Sequence, residues 1–119
     1  MSAGSSSFVE FIVEQLAGME QLQSKPFFGG IGLVSGGTQF AMLMGNTLYF
    51  AVNDATRPQY EQMGSQCFAY DTKARRVQVK KYFEVPAEIL EDPTALLALA
   101  QQALEAARQA KTKRPKNRS

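Results

Sequence analysis

Four features of this sequence could do chemistry. They are the glycine run Gly29-Gly30-Ile31-Gly32, the single thiol Cys67, the carboxylates Glu84, Glu88, Glu91 and Asp92, and two groups of cations. Glycine runs cradle phosphates where a strand turns into a helix, in the pattern G-x-G-x-x-G. Here Ser35 stands three residues past Gly32, both flanks read as strand, and no G-K-[ST] is present, which argues against nucleotide binding. A cysteine nucleophile needs a base, and the chain has no histidine. That removes the Ser-His-acid triad and every histidine metal ligand, and one cysteine cannot build a zinc cluster. Cys67 is expected to be a buried or half-buried thiol. Asp92 reads as a helix cap and the other three carboxylates as a solvated face, with nothing to set two of them across a substrate. No catalytic residue, metal site or cofactor is expected, and an enzyme or small-ligand protein built on the glycine strand and Tyr49 is the weakest reading.

The cations fall at Lys73, Arg75, Arg76, Lys80 and Lys81, and again at Lys111, Lys113, Arg114, Lys116 and Arg118. Tyr70 and Tyr82 flank the first group. Cations beside aromatic rings can grip phosphates and stack bases, so both groups are candidate nucleic-acid contacts. The plainer readings are a hairpin kept soluble by its charges and a solubilising terminus. No helix presents base-reading side chains, so any DNA binding is expected to be weak, non-specific and sensitive to salt.

The elements that must position these residues centre on 26–52, three apolar runs separated by Ser35-Gly36-Gly37-Thr38 and Gly45-Asn46. This pattern predicts an antiparallel meander. The first strand begins at Pro26, and its glycines call for a close neighbour or a bulge. Strict alternation groups Phe40 with Met42 and Met44, and Leu48 with Phe50 and Val52. Ala41, Leu43, Tyr49 and Ala51 fall on the opposite faces, so both sides of the sheet are partly apolar. Helices are expected on one side, and a partner chain can take the other.

Before the meander, Ser7 to Glu10 fits a capping box, and Phe8, Val9, Ile12, Leu16, Met19 and Leu22 predict a helix to about Gln23. After it, Asn53-Asp54 caps a short helix that Gly64 ends. A hairpin of 67–71 and 77–85 follows, in which Lys81 interrupts the alternation and suggests a bulge or an edge strand. Pro86 opens a helical turn at 87–90. Asp92-Pro93 then caps the strongest predicted helix, 94–110, whose stripe is Leu96, Leu97, Ala100, Ala103, Leu104 and Ala107. Residues 1–110 form one domain and 111–119 a disordered basic tail.

The chain has 119 residues and a net charge of +2. The tail carries five of the thirteen cations and none of the eleven acids, leaving the body mildly acidic. A lone cysteine, the lack of an 18-residue apolar run and the lack of a leader pattern make the cytoplasm the expected location, with no membrane contact.

The ordered motifs resemble a known family. Phe27-Phe28-Gly29-Gly30-Ile31-Gly32-Leu33 is similar to the M-F-G-G-x-G-L opening of the N-terminal domain of the TfoX/Sxy competence regulators. Phe40-Ala41, Leu48-Tyr49-Phe50, Thr56 to Tyr60, Gly64-Ser65, Cys67 to Tyr70, Tyr82 to Pro86 and Asp92-Pro93 continue the similarity in order, over about residues 8–110. Phe28, Gly29, Gly30, Gly32, Tyr49, Gly64, Phe68, Tyr70 and Pro86 are its structural positions. Two positions depart: Ala51-Val52 where lysine is common, and Cys67 where proline is usual. The resemblance implies an α+β fold in which helices pack on a five-stranded antiparallel sheet in the order α-β-β-β-α-β-β-α. This is a two-layer sandwich similar to type III secretion chaperones. It implies a bacterial, stand-alone N-terminal domain and no catalytic residues. It also implies a non-enzymatic regulatory or protein-binding module linked to competence and transcription, whose partner is another protein or a second copy. In the long regulators this domain precedes a helical one and acts with the cyclic-AMP receptor protein.

Overall fold

The computed structural model describes residues 6–113, with side chains for 7–110. Helix α1 (Ser6–Gln15) is followed by strands β1 (Leu22–Phe27), β2 (Gly30–Ser35), β3 (Thr38–Met44) and β4 (Thr47–Ala51). Helix α2 (Arg57–Gln62) leads to β5 (Cys67–Asp71) and β6 (Arg76–Glu84), and α3 (Ala87–Leu90) and α4 (Pro93–Lys113) close the domain. The class is α+β, as expected, with an antiparallel sheet and helices. The sheet, however, has six strands in the order β1-β2-β3-β4-β6-β5, not five.

The additional strand arises at the N-terminal end. The first helix stops at Gln15 rather than Gln23, and 22–27 is an edge strand paired with β2. Phe28 (φ 48) and Gly29 (φ 82) make the turn between them. Two successive left-handed residues form the tight hairpin turn whose twist matches paired strands. The helix begins at Ser6, so Ser7 is not its cap, and residues 1–5 lie outside the described residues. At the other end the helix runs through Lys113, three residues into the segment expected to be disordered; Arg114, Lys116 and Arg118 lie outside the described residues.

A bulge corrects the facing of β3. Leu33 pairs with Ala41 and Val34 with Gln39, so Phe40 is the extra residue. Phe40 and Ala41 are both fully buried in the helix-side core, while Met42 and Met44 face the other way. The expected grouping of Phe40 with the methionines therefore fails, because strict alternation does not survive a bulge. A second irregularity lies opposite Lys80 to Tyr82, where β6 shifts register against β5. The expected bulge near Lys81 is thus present, but β6 is interior and β5 is the edge.

Helix α4 lies across β3 and β4, with α1 and α3 against it. Its small residues Ala100, Ala103 and Ala106 are buried and let it approach closely, while Leu96 and Leu104 fill the core beside Leu33, Phe40, Leu48, Phe50 and Phe83. Each fully buried Leu or Phe side chain contributes roughly 1.5–3 kcal/mol relative to exposure. Asp92 caps α4 as expected, its carboxylate accepting from the Ala95 amide at 3.2 Å. Asn53 accepts the Ala55 and Thr56 amides, both at 2.9 Å, ahead of α2. Gly64 (φ 81) ends that helix, and the Ser65 amide returns to the Tyr60 carbonyl at 3.0 Å. Tyr60 is buried against Phe83, but Met63 is exposed.

Candidate binding groove on the open face of the sheet

The sheet face away from the helices is concave and apolar. Phe27 and Phe28 from the β1 edge and Phe68 and Tyr70 from the β5 edge line one cavity of about 520 Å³, together with Met42, Met44, Val79 and Tyr82. Strands at opposite edges can share a cavity only if the sheet curls strongly. Glycines in β2 permit that curl. A Cβ on Gly30 would lie 2.3 Å from the Leu43 carbonyl oxygen and 2.6 Å from Met44 Sδ. One on Gly32 would lie 2.7 Å from the Gln39 amide oxygen. β2 thus presses onto β3 with no side chain between, and Met44 and Gln39 lie over the vacated positions. The close neighbour that the glycines required is β3.

The floor is deep. Met42 is 2% exposed although no helix covers its face. Aromatic rings close around it: Tyr49 meets Phe68 edge-on at 5.2 Å, and Phe68 meets Tyr70 at 6.1 Å. Phe27 and Phe28 meet edge-on at 4.7 Å. Burial pushes the Tyr82 hydroxyl above its ordinary range, and a hydrogen bond with the Gln39 side chain partly offsets this. Burial, followed by the Glu84 and Cys67 charges, raises Tyr49. Both phenols are therefore neutral at physiological pH. The arrangement offers apolar contact, stacking and adaptable methionine packing, and a few hydroxyls to fix orientation.

The other expected site residues lie elsewhere. Lys73, Arg75, Arg76, Lys80 and Lys81 are all exposed on the β5–β6 hairpin. Its turn is held by Thr72, whose hydroxyl donates to the Arg75 carbonyl at 2.9 Å while its amide donates to the same oxygen at 2.8 Å. Arg76 pairs with Asp71 at 3.2 Å, with both side chains mostly in water, so the pair is worth well under ~1 kcal/mol. Lys111 and Lys113 lie on α4, beyond the described side chains. Cys67 is a half-buried free thiol. Glu84, Glu88, Glu91 and Asp92 are exposed along β6, α3 and the start of α4. Among the described residues no cluster of three or more Cys, Asp or Glu could hold a metal ion, and no helix is long and apolar enough to cross a membrane.

Of the groove residues, Phe27, Phe28, Phe68, Tyr70, Tyr82 and the glycines fall within the motifs, Tyr70 and Tyr82 also as flanks of the cations. Met42, Met44 and Val79 had no individual signal; the apolar character of both sheet faces was the clue.

A curled antiparallel sheet with helices on one side and an apolar groove on the other is a domain of the α+β class. Residues 14–107 match the family model described as the TfoX N-terminal domain, and the chain belongs to that family. It is also 25% identical over 88 residues to the DNA transformation protein TfoX1 of Aliivibrio fischeri (strain ATCC 700601 / ES114). The match covers 74% of this chain and 42% of that protein, so the chain spans less than half the length of its relative.

Proposed function

We propose that this chain is a non-enzymatic regulatory module of the cytoplasm. It serves the control of DNA transformation by holding a protein partner in the groove. The observation that carries the reading is the groove itself: an aromatic and methionine surface, with Met42 buried at its floor, on a face that the chain's own helices leave open. Family membership supports a regulatory role, and the name of the A. fischeri relative supports the link to transformation. The test is genetic. In the native host, a chromosomal Val79→Lys variant should lower transformation frequency about as far as deletion does, with the protein present at normal level. Full complementation by this variant would sink the groove as the working surface.

A second reading is supported by the exposed hairpin cations Lys73, Arg75, Arg76, Lys80 and Lys81, of which Arg76 pairs with Asp71 at 3.2 Å. They would hold duplex DNA weakly. Fluorescence anisotropy at low and moderate salt, on the whole chain and on a version ending at Ala110, tests this. Binding that falls steeply with salt and survives truncation favours the hairpin, whereas loss on truncation favours the terminal cations. No binding at low salt removes the reading.

A further inference from the structure

Phe28 is the most exposed large apolar side chain among the described residues, at 88%. Its backbone is left-handed, with φ 48, at a turn position where Asn, Asp or Gly is the usual choice and a bulky residue is an outlier. An aromatic ring in that position gains almost no burial from its own chain. Strain of this kind points to a use outside the fold. Phe28 also stands on the rim of the groove.

We propose that the groove's occupant is a second copy of this chain, with Phe28 of each copy seated in the groove of the other. The inference rests on reading the groove as a protein-binding site, and it names the partner. A two-fold axis passing beside a groove's mouth carries a rim residue of one copy to the mouth of the other copy's groove. One surface therefore supplies both knob and hole, which is the requirement for a closed two-fold contact. The cavity of about 520 Å³ has room for a phenyl ring and its flanks.

Charge favours a copy over a polyanion or an acidic partner. Strand register places Lys25 on this face, opposite Gly32, and Glu84, opposite Tyr49. One cation and one anion leave the face neutral, so two copies meet without a net repulsion. Along β1, Lys25 and Pro26 discourage strand addition at that edge, which turns assembly toward the face.

Area sets the strength. A phenylalanine carries roughly 150–250 Å² to bury, so two seated rings and the surface that they cover remove about 600 Å². Phe27, Met44, Phe68 and Tyr70, all incompletely buried, bring the total to the lower limit of a specific interface, about 1,200 Å². A reversible dimer with a dissociation constant on the order of 10 μM is expected for so small a contact.

Sedimentation velocity of the full chain over a concentration series from about 1 to 500 μM tests this. The expected result is a monomer–dimer equilibrium. Phe28→Asn should weaken it at least ~10-fold while holding or raising the melting temperature, because asparagine accepts the turn geometry. Val79→Lys, which blocks the hole and keeps the knob, should also abolish self-association, and mixing the two variants should restore a weak heterodimer through the one intact seat. A wild-type chain that stays monomeric across the series overturns the proposal. So does a dimer that Phe28→Asn leaves intact, which would move the contact elsewhere, for instance to the β5 edge. A monomer whose Val79→Lys variant still fails in the transformation assay overturns only the second copy and returns the groove to another protein. A monomer that binds the apolar dye bis-ANS there, and complements fully as Val79→Lys, overturns both readings in favour of a small apolar ligand.

Discussion

Replacing Gly30 with alanine tests how the groove is made. The added Cβ would meet the Leu43 carbonyl oxygen at 2.3 Å and Met44 Sδ at 2.6 Å. The sulfur can swing aside, but the carbonyl belongs to the β2–β3 ladder and cannot move without opening it. Overpacking against backbone falls toward the upper end of its usual 1–3 kcal/mol. Reduced freedom of the unfolded chain returns about 0.4–1 kcal/mol, leaving a net loss of ~2 kcal/mol. At this chain length that corresponds to a fall of roughly 8 °C in melting temperature, measurable by calorimetry or by urea unfolding. Two companions separate the causes. Gly32→Ala meets only the Gln39 side-chain amide, at 2.7 Å, and should cost less because that group can rotate. Gly29→Ala meets nothing within 4 Å but keeps φ 82, so its cost of ~1 kcal/mol is purely conformational. A Gly30→Ala loss under ~0.5 kcal/mol, or one smaller than that of Gly29→Ala, would refute the close approach of β2 to β3 as the reason for glycine here.

Two further outcomes follow from buried polar groups. Ser35 is 1% exposed and its hydroxyl donates to the Glu20 carbonyl at 2.6 Å; Ser35→Ala leaves that carbonyl without this donor and should cost about 1–2 kcal/mol in urea unfolding. Burial holds the Tyr60 hydroxyl well above its ordinary value of 10.0. Below about pH 10 both folded and unfolded chains keep this proton, and stability does not depend on it. Above that pH the unfolded chain releases the proton first, so stability falls by ~1.4 kcal/mol per pH unit until the folded group titrates. Tyr60→Phe should flatten the decline above about pH 10, with Tyr49 and Tyr82 contributing what remains; equal slopes would refute the assignment.

Helix α4 was legible because its cap, proline and alanine-leucine stripe agree with one another, and α2 because Gly64 marks its end; its start is later than the expected Asn53-Asp54 cap, with Thr56 at the N-cap and Asn53 holding the turn before it. The β1–β2 hairpin was not legible, for two physical reasons. Gln23, Ser24 and Lys25 form a polar edge strand with no alternation to betray it, and Phe28 is the wrong residue type to signal a left-handed turn. Phe40 was assigned to the wrong face because a bulge is a property of pairing, which a single strand's pattern does not contain. Lys81 was read correctly as a break in β6, yet the inference that β6 is an edge failed. β4 pairs with β6 over 49–51, reaching Tyr82, and the Val52 amide donates to the Lys81 carbonyl at 2.8 Å, so the irregular stretch is itself covered by β4. The groove itself was hidden because it joins β1 and β5, strands that are distant in sequence and are brought together by the curl alone.

The two surfaces on β6 are back to back. Val77 pairs with Tyr70 and Val79 with Phe68, so these valines share the groove face. Arg76 and Gln78 occupy the intervening positions in the regularly paired stretch, and period-two alternation turns them away from it. A partner seated against Val79 therefore leaves Arg76 in water, and a polyanion held there with the neighbouring turn cations Lys73 and Arg75 leaves the groove open. Self-association and DNA binding then answer separate questions rather than compete for one site. Charge-neutralising changes at Arg75 and Arg76 should leave the monomer–dimer equilibrium where it is, and Phe28→Asn should leave DNA anisotropy per chain unchanged when measured well below the dimer dissociation constant. If either change moved the other readout more than about twofold, the faces would communicate, and β6 would have to be treated as a coupling element instead of a partition.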